Sequence, residues 1–186
     1  MNVYVESNFV LQLALEQEEF AATQEILEIA TQNRITLVLP AFAISEPFSK
    51  LSYRSADWGR IGQSLQSQIQ TQLRRSQSQH QIVKGISDLI TGLTAISQDD
   101  NARPVSTVQR LTKLARIITL DTNIFIQALS YSSLYGLSIQ DSIIYASVIS
   151  DLRTENNIDE KCFVSTNSKD FSTVEIKNEL KSFNYI

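Results

Sequence analysis

Short unbroken apolar runs alternate along this chain with longer stretches whose apolar positions recur at helical spacing. Val3–Val5, Ile35–Leu39 and Cys162–Ser165 are runs of the first kind and predict strands. Ile117–Leu120 predicts a short strand or extended link, and Ser182–Ile186 a further strand at the tail. Ser7 and Asn8 offer capping oxygens ahead of Phe9, Val10, Leu11 and Leu13, which predicts a helix directly after the first strand. A second helix is predicted over 17–32, with Phe20, Ile26, Leu27, Ile29 and Ala30 on its buried side. Pro40 opens a third, because a proline at the first helical position loses no hydrogen bond. Pro47 is tolerable there only within the first turns.

From 57 to 116 the pattern is helical, without strand signals. Leu65, Ile69 and Leu73 recur every four residues, and Ile82, Ile86, Leu89, Ile90 and Leu93 form another stripe. The Gln- and Ser-rich stretch 63–81 keeps its stripe and reads as exposed helix; 97–104 is a loop, and Val105–Arg116 a helix. Two more helices are predicted over 122–135 and 139–154, parted by Tyr-Gly-Leu-Ser. Strands alternating with helices imply βαβ units, so the expected fold is α/β and helix-rich, with a central, mostly parallel sheet flanked by helices.

Composition narrows the function classes. At 186 residues, with 42% hydrophobic and 19% charged positions, the chain suits one soluble globular domain. No apolar run approaches the ~18 residues of a membrane span, and the start of the chain lacks the pattern of a signal peptide. Cys162 is the one cysteine, which excludes an internal disulfide and fits a cytoplasmic setting. His80, the one histidine, lies in a polar run, so serine–histidine and histidine-rich zinc chemistry start with little support. The net charge of −4 hides a division: residues 50–116 hold ten Lys/Arg against four acids, a surplus of +6 that leaves −10 elsewhere. An acidic site beside a basic insertion suits a polyanionic substrate, although lysines and arginines also simply solvate helices.

Acidic residues stand at the ends of the apolar runs, where an open parallel sheet gathers its chemistry. Glu6 ends the first strand, where it either contacts a cation or rests beside a helix N-terminus. Glu46 lies among apolar neighbours and needs a positive partner, either a metal ion or an arginine such as Arg54. Asp141 follows Ser138 at capping-box spacing and is a candidate ligand as well. Asp121, in a Leu-Asp-Thr-Asn run, reads more simply as a helix N-cap, and Trp58 as packing rather than a base-stacking platform. Hard carboxylate oxygens brought together suit Mg²⁺ or Mn²⁺.

The order Glu6, Glu46, Asp141 and the Thr166-Asn167-Ser168-Lys169-Asp170-Phe171 corner resembles the PIN-domain ribonucleases over nearly the whole chain. The resemblance implies a single PIN-like domain over 1–186, with a helical insertion at about 55–116. It implies metal-dependent hydrolysis of RNA, with Glu6, Glu46 and Asp141 holding Mg²⁺ or Mn²⁺ and Asp170 completing the catalytic set. Asn8, Asn167 and Ser168 would orient ligands. The chain departs from the family in carrying Glu6 for the usual first Asp and Ser168 for a later one. Arg74, Arg75, Lys84, Arg110, Lys113 and Arg116 are the insertion residues expected to hold RNA. The alternatives are a PIN-fold module that binds RNA or protein without cutting, and the toxin of a toxin–antitoxin pair. A homodimer is a further candidate assembly; no membrane contact is expected.

Overall fold

The computed structural model describes residues 1–73, 85, 88, 91–92, 103–155 and 160–183. Four parallel strands form the centre: β1 (Asn2–Val5), β2 (Thr36–Pro40), β3 (Arg116–Ile118) and β4 (Lys161–Val164). Their order across the sheet is β3-β2-β1-β4. Val3 lies opposite Leu37 on one side and Cys162 on the other, and Pro40 opposite Ile118.

Among the described residues the connections between strands are carried by helices, the usual crossover of parallel pairing. The helices are α1 (Ser7–Leu15), α2 (Phe20–Thr31), α3 (Ala41–Leu73), α4 (103–114), α5 (Thr122–Tyr135), α6 (Ile139–Thr154), α7 (Ser168–Phe171) and α8 (Val174–Lys181). The chain moves one way across the sheet from β1 through β2 to β3 and then returns past them to β4. α6 is buried without a break from Ser142 to Ile149, because it lies between the sheet and α5. That position explains its all-round apolar sequence. The core joins Tyr4, Val5, Leu37 to Leu39, Leu111, Ile144 and Ile149.

Several expectations are corrected. Pro40 ends β2 and α3 begins one residue later, so the proline serves the strand end rather than the first helical turn. Pro47 sits in the second turn of α3, buried, and the helix continues through it. α3 runs unbroken from the sheet into the insertion over 33 residues, about 50 Å at helical rise. α8 was not foreseen: its short sequence buries only Ile176 and Leu180, too few to set a period. Residues 182–183 form a turn after α8 rather than a strand, and 184–186 lie outside the described residues. The stripe predicted across 82–93 also falls largely outside them. Among the described residues no helix is long and apolar enough to cross a membrane.

Candidate functional site

The order β3-β2-β1-β4 makes β1 and β4 the place where the chain reverses its direction across the sheet. Ligand crevices of open α/β sheets lie outside the carboxyl ends of strands at such a switch point. Val5 and Val164 pair at the ends of these two strands, so the next residues, Glu6 and Ser165, open the crevice together.

Glu6 is 2% exposed, which is costly for a carboxylate unless its oxygens are hydrogen-bonded. It is the N-cap of α1, with Oε2 accepting the Asn8 backbone N–H at 2.8 Å. Oε1 accepts the Ser165 hydroxyl at 3.1 Å. The cap is therefore Glu6 rather than Ser7 or Asn8, and Asn8 acts through its backbone. Burial pushes the Glu6 pKa up; the Asn8, Ser165 and Thr166 hydrogen bonds pull it down, and the Glu46 charge adds to the rise.

Glu46 lies in the second turn of α3 and pairs with Lys50 Nζ at 2.7 Å, one turn later. The partner that its apolar surroundings demand is thus Lys50; the Arg54 side chain lies outside the described residues. Asp141 occupies the first turn of α6. Ser138 caps that helix by accepting the Asp141 backbone N–H at 3.1 Å, while its hydroxyl donates to Asp141 Oδ2 at 2.7 Å. The capping role is real and leaves the carboxylate in the crevice. Burial raises the Asp141 pKa, the Ser138 hydrogen bond opposes it, and the Asp170 and Glu46 charges raise it further against Lys50.

The fourth corner is α7. Asn167 donates its backbone N–H to Ser165 Oγ at 2.9 Å and its side-chain amide to Asp170 Oδ2 at 2.7 Å. Ser165 thereby links Glu6 to the Asn167–Asp170 pair. Ser168 is exposed and begins the helix. Phe171 fixes α7 from behind, edge-on to Phe163 with centroids 5.1 Å apart and stacked toward Tyr145 at 6.4 Å. The Tyr145 hydroxyl is held by Glu179 of α8 at 2.9 Å, and Tyr131 and Tyr135 donate to the same carboxylate.

Glu46 thus bears on both Glu6 and Asp141, and Asp141 also on Asp170. Among the described residues no three His, Cys, Asp or Glu side chains stand close enough to form a ready cation cage. Mg²⁺ does not require one, because it keeps several waters and is commonly bound through one or two carboxylates. The donor set is all hard oxygen. Two hydroxyls next in sequence to site carboxylates, Ser7 Oγ and Ser142 Oγ, are buried without a hydrogen-bond partner. Oxygen donors of this kind are the type that a hydrated hard cation takes.

Sequence reasoning missed Ser165 and Lys50. Ser165 carries no pattern of its own and gains its role from strand pairing; Lys50 was visible at helical spacing from Glu46. The insertion is corrected most. Arg116 is a structural anchor, donating to both Asp151 oxygens at 2.5 and 2.8 Å and to Glu155 at 2.8 Å. Tyr4 joins the same acids, with its hydroxyl 2.8 Å from Asp151. Among the described residues Lys50, Arg60, Arg103 and Arg116 all have acidic partners. Arg110 and Lys113 are exposed on α4, whereas Arg74, Arg75 and Lys84 lie outside the described residues. Asp121 caps α5, accepting the Ile124 N–H at 2.9 Å, as expected. Comparison with protein-family models, with curated proteins and with solved structures finds no match for the chain.

Proposed function

We propose that the chain hydrolyses RNA phosphodiester bonds with a carboxylate-held Mg²⁺ or Mn²⁺, in the manner of the PIN-domain ribonucleases that its sequence resembles. The observation that carries this reading is a chain of neighbouring acids beside the switch point, Glu6 next to Glu46 and Asp141 next to both Glu46 and Asp170, with Glu6 and Asp141 raised by burial and then by these charges. Charges placed together at a cost to the fold mark a site built for a cation. When bound, that cation supplies water activation and offsets the negative charge that develops on the phosphate.

The chain's own residues do the positioning. Glu6 is held from two sides and has little freedom to turn. Ser138 fixes Asp141, and the Asn167–Asp170 pair stands at the rim to orient water. Lys50 neutralises Glu46 and is half exposed, near enough to the acidic groups to meet a substrate phosphate. Arg110 and Lys113 are exposed cations of α4, as is Arg103, which pairs with Glu16.

The test is cleavage of a labelled single-stranded RNA with and without Mn²⁺, comparing wild type with Asp141→Asn. Asparagine keeps the shape and the capping capacity but lacks the charge. Mn²⁺-dependent cutting by wild type alone, with equal circular dichroism, supports the reading; a wild-type rate in Asp141→Asn refutes it. Ser168, standing where the family carries an acid, favours a second reading, a binding module without catalysis. RNA binding by wild type with no cleavage at any Mn²⁺ concentration selects that alternative.

A further inference from the structure

A cleft of about 240 Å³ opens between α1, α2 and α4. Glu6 caps one end of α1 and Glu16 the other, nine helical residues apart, or roughly 14 Å at helical rise. The cleft lies at the Glu16 end. Leu13, Phe20 and Leu27 give it an apolar floor. Its wall is one face of α4, where Arg103, Thr107 and Arg110 recur at i, i+4 and i+7 with Ser106 beside them. Two guanidinium groups and two hydroxyls therefore border one apolar hollow.

One internal counter-ion is present. Glu16 Oε2 lies 3.2 Å from Arg103 Nη1, and both side chains are about half exposed. Glu16 has a left-handed backbone, φ 48°, which a residue with a Cβ adopts at a cost. Among the described residues no ion pair engages Arg110.

We propose that this cleft binds a small phosphate monoester carrying a flat ring, such as a nucleoside monophosphate. Paired guanidiniums match phosphate geometry, each offering two parallel N–H groups. The Thr107 hydroxyl serves an oxygen that the arginines leave, whereas Ser106 already donates to the Arg103 carbonyl. Phe20 is the half-buried residue of that floor, and a ring covers its exposed face where a bare inorganic anion does not. The volume is below the ~300–1,000 Å³ of sites for drug-sized ligands, which limits the occupant to one small ester. Glu16 stands in for the phosphate on Arg103, and an incoming dianion displaces it. No carboxylate of the sheet-edge crevice lines this cleft, so the proposal does not rest on the nuclease reading.

Isothermal titration of the full chain with UMP, uridine and inorganic phosphate at low salt tests it. UMP binds, inorganic phosphate binds more weakly, and uridine gives no heat. Arg110→Ala weakens UMP by about tenfold, or about 1.4 kcal/mol. Glu16→Gln tightens UMP several-fold, because the competitor for Arg103 is gone, and Asp141→Asn leaves it unchanged. A 5′-phosphorylated trinucleotide that binds as well as UMP supports an RNA end as the natural source, and exclusion of that trinucleotide supports a free nucleotide. Absence of UMP binding in wild type overturns the proposal. So does binding that is indifferent to Arg110→Ala, weakened by Glu16→Gln or lost in Asp141→Asn.

Discussion

Replacing Arg116 by methionine separates a structural cation from an RNA contact. The guanidinium bridges Asp151 and Glu155, and these two acids also receive the Tyr4 hydroxyl. Methionine keeps much of the aliphatic stem but leaves two carboxylates facing each other without their counter-ion. An exposed ion pair is worth about 0–1 kcal/mol, and breaking a buried one costs about 3–5 kcal/mol. Arg116 is 39% exposed, while Asp151 and Glu155 are 11% and 23% exposed, so this network falls between those limits. Discounted for solvent screening at the arginine, the loss should be about 2 kcal/mol. In a chain of this length that lowers Tm by about 4–8 °C. Arg116→Lys should recover only part, because an ammonium cannot make the forked contact to Asp151. Urea unfolding of Arg116→Met, Asp151→Asn and the double variant gives the coupling directly. A loss below about 0.5 kcal/mol, the range of ordinary surface substitutions, with a clear drop in RNA affinity, would refute the reasoning and restore Arg116 to the RNA-contacting set.

Two further outcomes follow from the same geometry. Burial holds the Glu6 pKa above its ordinary 4.5, so ionised Glu6 lowers stability at pH values above its folded pKa, and that deficit closes as pH falls toward 4.5. Glu6→Gln should therefore resist urea better than wild type at pH 8, with the gap narrowing toward pH 4.5; a gap that widens on acidification contradicts the assignment. Gly136 ends α5 with φ 67° and open space where a Cβ would stand, so Gly136→Ala meets backbone strain alone. It should cost about 1 kcal/mol, or about 2–4 °C in Tm, and an unchanged melting curve would show that the turn before Asp141 relaxes freely.

The fold class was readable because strands and helices announce themselves by period. β1, β2, α2, α5 and α6 lie where the apolar pattern places them, to within a few residues at their ends. Glu6 and Asp141 were legible as positions because one follows an apolar run and the other begins a helix, and Glu46 because an acid among apolar neighbours needs a partner. Roles that depend on distant partners were not legible. Arg116 looks like any other lysine or arginine of a basic segment until α6 lays Asp151 and Glu155 beside it. Ser165 becomes the link between Glu6 and Asn167 only through strand pairing. Local charge counting also overstated the basic field of the insertion, since it cannot see pairs such as Arg103–Glu16 that close across the fold.

The pairing of β1 with β4 has a consequence for the nascent chain. β1 occupies the interior of the sheet, yet one of its two neighbours, Lys161–Val164, is made more than 150 residues after it. At roughly 5–20 residues per second, a ribosome reaches β4 roughly ten to thirty seconds after β1. Throughout that interval β1 has an open edge, Glu6 lacks the Ser165 hydroxyl, and the Asn167–Asp170 pair does not exist. A product cut short before Lys161 thus lacks one side of the crevice, because neither Ser165 nor the Asn167–Asp170 pair is present to close it.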